Sequence, residues 1–257
     1  MRAIKKARGI FADYLKTKAC LKRDPYHDAF DYIIDLEEKF GFASSFYLMA
    51  NDERYSLDDS YLKGLLTKLR NKGGEVGIHP GSNAHNNPAT LTFEKERLER
   101  IIGDSVVGGR QHYLKWENPQ SWRTWEAAGL MYDTSLGFAD HEGFRCGICY
   151  PFQPFDLIEN RVIDLWEIPI TVMDATLAAY RNLSAEEGQE ILMNLLKTVE
   201  EHSGVFVLIW HNVYMCQLFT PEWKKCFEDF YQAISSKNAF VSSASAIIQG
   251  WEKTTNR

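Results

Sequence analysis

From residue 24 onward the chain alternates between two hydrophobic periods, and this alternation restricts its fold more than any other feature. Segments with apolar residues three or four positions apart, the helix period, are separated by short apolar runs of strand character. Asp24-Pro25 supplies a cap and a first-turn residue for a helix over 25–40, with Phe30, Ile33, Ile34 and Phe40 on one stripe. A strand is predicted over Phe42–Met49. A helix over 58–71 follows, burying Tyr61, Leu62, Leu65, Leu66 and Leu69, and then a strand over Glu75–Ile78. The rhythm continues with a helix near 92–102, a run over Ser105–Gly109, a helix from Asn118-Pro119 to Ala128, and a run over Leu130–Tyr132. Ser184 and Glu187 have capping-box spacing for a helix over 185–201. Val205–Trp210 reads as a fully buried strand, a helix runs from Thr220-Pro221 to about 235, and Ala239–Ser242 reads as the last strand.

Strands separated by helices of this length need crossover connections, so the sequence predicts an α/β fold with a parallel sheet. No glycine-rich phosphate loop follows an early strand, which favours a barrel-like arrangement over a nucleotide fold. Residues 137–161 break the rhythm with several aromatics, three glycines and two prolines, the composition of a binding loop.

Net charge is −6, unevenly spread. Residues 1–23 carry eight Lys and Arg against the single acid Asp13, leaving −13 for the rest. We read this segment as a basic helical arm, with Ile10, Phe11, Tyr14 and Leu15 facing an acidic body over 24–257. A body of that charge argues against nucleic acid as the main ligand. No apolar run approaches the roughly 18 residues of a membrane span, and the N-terminus is too charged for a signal-peptide core. The five scattered cysteines suit reduced thiols, so the chain as it stands reads as cytoplasmic, and as exported if a longer N-terminus carries a signal. Cys146 and Cys149 have redox-pair spacing without the preceding strand and following helix that would lower a thiol pKa, and are read as structural.

In parallel α/β folds ligands bind beyond the carboxyl ends of the strands. Here those ends are rich in titratable groups. Glu75–Ile78 leads to His79, and Ser105–Gly109 leads to Arg110 and His112. Leu130–Tyr132 leads to Asp133, the segment from Leu165 leads to Asp174, and Val205–Trp210 leads to His211. Convergence of so many such ends on one rim predicts a site.

The strings EVGIHPGSN, RQHYLKW, AAGLMYDTSLGFADHEGFRCG, EIPITVMDATL and FVLIWHN, in this order, resemble the polysaccharide deacetylase family over roughly residues 24–250. They are closest to a bacterial branch in which RQHYL, YDSSLGFAD and WHN recur. The resemblance implies a distorted (β/α) barrel with fewer than eight strands. It also implies hydrolysis of N-acetyl, less often O-acetyl, groups on a glycan, with a divalent metal, zinc first, usually held by one Asp and two His.

Carried across, His79 matches the first metal histidine, Arg110 the arginine that orients the catalytic carboxylate, Asp133 one wall of the groove, and His211 the general acid. The expected catalytic residues are therefore His211, Arg110 and Asp133. Asn83 stands where the second metal histidine belongs, so the metal is expected on His79 and His85, with His112 as the alternative. His112, Trp116, Arg145, Asp174 and Trp210 are expected to contact substrate, with Tyr150, Phe152 and Phe155 as further stacking faces. The family's earliest strand, ending in paired aspartates, has no counterpart before the helix at 25–40, so the chain is expected to begin one strand late. The rival reading is a catalytically impaired carbohydrate-binding relic of the same fold. A sugar isomerase or aldolase on a similar barrel is weaker still, because no strand end offers a lysine or a carboxylate-rich metal site.

Overall fold

The computed structural model describes residues 27–51, 57 and 59–255. The predicted basic arm, and the position expected for the family's earliest strand, lie outside the described residues.

The elements follow the predicted alternation. Helix α1 (His27–Phe40) leads to β1 (Ser45–Leu48), α2 (Ser60–Asn71), β2 (Glu75–Ile78), α3 (Pro88–Ile102) and β3 (Gly108–Gly109). Then come α4 (Gln120–Ala127), β4 (Tyr132–Asp133), a hairpin of β5 (Phe155–Asp156) and β6 (Arg161–Val162), β7 (Trp166–Glu167) and β8 (Val172–Met173). Helix α5 (Ala185–Glu201), β9 (Leu208–Ile209), α6 (Pro221–Ser235) and α7 (Ala244–Thr255) complete the order.

Strands β1, β2, β3, β4 and β7 form one parallel sheet in that spatial order, and β8 pairs with β9 in parallel beside it. The expectation of an α/β chain built on fewer than eight parallel strands is met. The strands do not close into a barrel among the described residues.

Local chemistry explains most boundaries. Asp59 Oδ1 accepts from the Tyr61 and Leu62 amides at 2.8 and 3.3 Å and starts α2. Asn87 Oδ1 accepts from Thr90 N, and Pro88 fills the first turn, so α3 begins four residues before the predicted 92. Both arms of the Ser184–Glu187 capping box are present at α5. Replacing Ser184 with alanine orphans the Glu187 amide and is expected to lower stability by about 1 kcal/mol, read by urea unfolding.

Two strand predictions are corrected. Val205–Trp210 is neither fully buried nor a strand throughout: residues 205–208 are half-buried and ladder pairing covers Leu208–Ile209. Ala239–Ser242 is not a strand. Its tie to the strand region is a single bond, Ala43 N to Val241 O at 3.4 Å, and the chain then enters α7, which the predicted pattern lacked.

Helix α7 covers the inner face of the sheet. Ile248 packs with Tyr132 and Ile168, and the helix start is tied to the amino ends of β1 and β2. Ala244 N donates to Ser45 Oγ, while Ser245 N and Oγ donate to Glu75 Oε2, which also suits the positive end of the helix dipole. Helices α2, α3 and α4 pack their apolar stripes on the outer face around Leu69, Ile78, Leu91, Leu98 and Trp125. A second core joins α1, α5 and α6 around Ile33, Leu192, Phe227 and Phe230. With one end of the sheet sealed by α7, the carboxyl ends remain for a site. No helix among the described residues is long and apolar enough to cross a membrane.

Candidate active site at the carboxyl ends of the strands

Ladder register fixes the order of the rim. His79 N bonds Leu48 O at 2.9 Å, Arg110 N bonds Ile78 O at 2.9 Å, and Thr134 N bonds Gly109 O at 3.0 Å. Each of these residues is the first after its strand, so three adjacent strands present His79, Arg110 and Thr134 in a row.

The His79 Nδ1–H donates to the Arg110 carbonyl at 2.7 Å. A carbonyl can only accept, which fixes the tautomer and leaves Nε2 with its lone pair. Burial, assisted by the positive fields of His112, Arg110 and His211, pushes the His79 pKa down to about 4. His79 is therefore a neutral acceptor at neutral pH. His112 lies edge-on to it at 5.0 Å between ring centres and stacks on Tyr113.

His211 is held differently. Its Nδ1 and its backbone N–H both donate to Asp174, the ring bond at 2.6 Å to Oδ1. Asp174 is 0 % exposed, whereas the His211 side chain is 50 % exposed. The bond to Asp174 raises the His211 pKa, against a smaller opposing effect of burial, and leaves Nε2 as the working nitrogen. Asp174, expected to contact substrate, turns its oxygens to His211 and Ala175 N. The rim thus carries one imidazole held neutral and one biased toward the cation, with the His211 charge adding a small push to the lowering of His79.

Arg110 acts on both imidazoles through its charge. Its Nε donates to Thr134 O at 2.8 Å, its Nη2 to Thr134 Oγ1 at 3.1 Å, and the guanidinium lies over the Tyr47 ring at 5.0 Å. No carboxylate of a described residue forms an ion pair with it, so the expected role of orienting a catalytic carboxylate has no partner among the described residues.

Asp133, expected among the catalytic residues, is 0 % exposed and stands behind the rim. It accepts from Ser135 N at 2.7 Å and Ser135 Oγ at 2.6 Å, and its register partner on β7 is the equally buried Glu167. Two carboxyls cannot both ionise in so dry a place. Burial and the neighbouring Asp133 hold Glu167 well above the usual carboxylate range, and burial raises Asp133 as well.

The remaining expected substrate contacts scatter. Trp116 packs edge-on against Trp122 at 5.5 Å in the outer core. Trp210 is half-buried between Phe227 and Trp223. Arg145 is exposed, donating to Gly137 O at 3.0 Å. The aromatics of the 137–161 loop serve packing: Tyr150 stacks on Trp251, Phe152 packs on Trp122, and Phe155 is exposed on the β5–β6 hairpin. Cys146 and Cys149 are held above the ordinary thiol pKa by burial, contrary to a reactive pair.

The metal expectation finds incomplete donors. His79 offers Nε2, and His85 Nε2 is buried without a hydrogen-bond partner, while Asn83 is exposed. No group of three His, Cys, Asp or Glu side chains among the described residues is arranged to hold a metal ion. The described donors by themselves do not complete a metal site.

No protein-family model and no curated protein matches the sequence. Solved structures do match in fold. A protein from Mycobacterium smegmatis assigned as a polysaccharide deacetylase superposes with a TM-score of 0.67 at 16% identity, covering 95% of this chain and 84% of that one. Puue allantoinase gives 0.65 at 12% identity, covering 86% and 71%. A protein from Pseudomonas aeruginosa assigned as a polysaccharide deacetylase gives 0.65 at 13% identity, covering 89% and 74%.

Proposed function

We propose, from a fold shared with structures assigned as polysaccharide deacetylases, that this chain hydrolyses acetyl groups on a glycan, N-acetyl before O-acetyl, with His211 as the proton donor. The observation that carries the reading is the Asp174–His211 pair after β8 and β9, together with a neutral His79 after β2. Amide hydrolysis needs a proton delivered to the leaving nitrogen as the tetrahedral intermediate collapses. His211 is suited to that, since Asp174 stabilises its protonated form and orients Nε2. His79 Nε2, fixed as an acceptor, can hold the attacking water and take its proton as the water oxygen bonds the acyl carbon, while His211 gives its proton to the nitrogen as the C–N bond breaks. Acetate release from N-acetylated chito-oligosaccharides, measured with and without added zinc, tests the reading. Release above the buffer rate supports it, and no release from any glycan under any metal condition rejects it.

A second reading, a glycan-binding relic, is favoured by one observation, the incomplete donor set around His79. It predicts oligosaccharide binding by calorimetry without turnover.

The pH dependence follows from the His211–Asp174 bond. A proton donor whose pKa is raised works below that pKa, so activity falls as pH rises through it. Asp174→Asn removes the carboxylate that raises it, and the alkaline limb of kcat against pH is expected to move to lower pH. The same bond contributes stability below the unfolded His value of about 6.5, and that contribution is lost as pH rises through the folded value.

A further inference from the structure

Behind the rim lies a continuous chain of buried hydrogen bonds that the proposed chemistry does not use. Trp122 Nε1 donates to Glu167 Oε2 at 2.8 Å, and Leu136 N donates to Glu167 Oε1 at 3.2 Å. Asp133 and Glu167 are register partners on β4 and β7, both fully buried, so the pair keeps one proton between its two carboxyls, and Asp133 accepts from Ser135 N and Oγ. Ser135 Oγ in turn accepts from Gln111 N at 2.8 Å. The Gln111 side chain then reaches Pro80 O and Gly81 O, both at 3.3 Å. Gln111, Asp133, Ser135 and Glu167 are all 2 % exposed or less.

This chain crosses the segments after β2, β3 and β4 and the end of β7. Its members adjoin the rim in sequence: Pro80 follows His79, Gln111 follows Arg110, and Asp133 and Ser135 flank Thr134. We propose that the buried Glu167–Asp133 pair, acting through Ser135 and Gln111, is a positioning device that holds the His79 and Arg110 segments at catalytic spacing. None of these groups touches substrate. The placement is economical in charge: Asp133 retains the single negative charge of the pair, and Arg110 lies within its field. A satisfied buried network of this kind has one low-energy arrangement, which is what a site intolerant of small displacements requires.

The consequence for turnover rests on the deacetylase reading; the consequence for geometry does not. The test compares Ser135→Ala, which cuts the chain between Asp133 and Gln111, with Glu167→Gln, whose amide can donate to Asp133 and accept from Trp122, giving up only the longer bond from Leu136 N. Glu167→Leu serves as the disruptive control. Two readouts are taken on folded protein: the imidazole Nδ1–H resonance of His79, which reports its bond to Arg110 O, and acetate release.

Ser135→Ala is expected to shift or broaden that resonance and to lower kcat about 10- to 100-fold with KM changed less. Glu167→Gln is expected to leave the resonance in place and kcat within about threefold. An unmoved resonance in Ser135→Ala overturns the proposal, as does equal damage by Glu167→Gln and Glu167→Leu. If Glu167→Leu does not fold, Ser135→Ala and Glu167→Gln still decide. If wild-type protein releases no acetate, the deacetylase reading falls while the resonance still tests the positioning role.

Discussion

His211→Ala is expected to lower kcat/KM for acetate release by about 10²- to 10⁴-fold, the range a positioned general acid contributes. Half of the His211 side chain is open to solvent, so its removal leaves little packing defect, and the variant should stay folded with thermal unfolding lowered by the loss of the Asp174 bond. The buried partner is left behind in that variant. Asp174 keeps the Ala175 and residue-211 amides as donors but loses the imidazole, so its carboxylate remains partly satisfied. A variant that retains more than a tenth of wild-type kcat/KM would exclude His211 as the proton donor. Rescue of His211→Ala by added imidazole would identify proton transfer, rather than orientation, as the missing function.

Gly109→Ala is expected to cost about 3 kcal/mol, the upper end of the usual penalty for overpacking, and to abolish activity. A Cβ on Gly109 would stand 1.9 Å from Ile78 O, a backbone atom in the β2–β3 ladder that cannot swing aside. That carbonyl also accepts from Arg110 N, so relief of the clash breaks the bond that sets Arg110 beside His79. Gly108 is tight in a different way, since an added Cβ would meet the Tyr132 ring. Urea unfolding and acetate release measured on one preparation would check both effects. Wild-type stability in Gly109→Ala would mean that β2 and β3 can separate without consequence for the fold.

Much of the rim was legible because strand ends and titratable residues coincide in the sequence. His79 and Arg110 follow their strands immediately, and parallel pairing then forces them to be neighbours. Strand lengths were less legible. Val205–Trp210 and Ser105–Gly109 carry strand composition, yet each contributes two residues to a ladder. The pattern reports apolar surroundings, and those can be supplied by packing as well as by pairing. Ala239–Ser242 misled for the same reason. Helix α7 carries its apolar residues at helical spacing, with Ala244, Ile247, Ile248 and Trp251, a signal that was available but that the predicted last strand displaced.

The roles of acids behind the rim were not legible at all. Asp174 meets a histidine 37 residues away, and Asp133 meets Glu167 across two neighbouring strands. Nothing local distinguishes a carboxylate that faces solvent from one that faces another side chain. The sequence alone therefore determined the alternation of elements and the end of the sheet at which chemistry gathers, because hydrophobic period and strand direction are properties of short segments. Tertiary structure alone decided which acids are spent inward, which imidazole is held neutral and which is biased toward the cation. Burial and hydrogen-bond partners set those states, and both come from residues far apart in the chain.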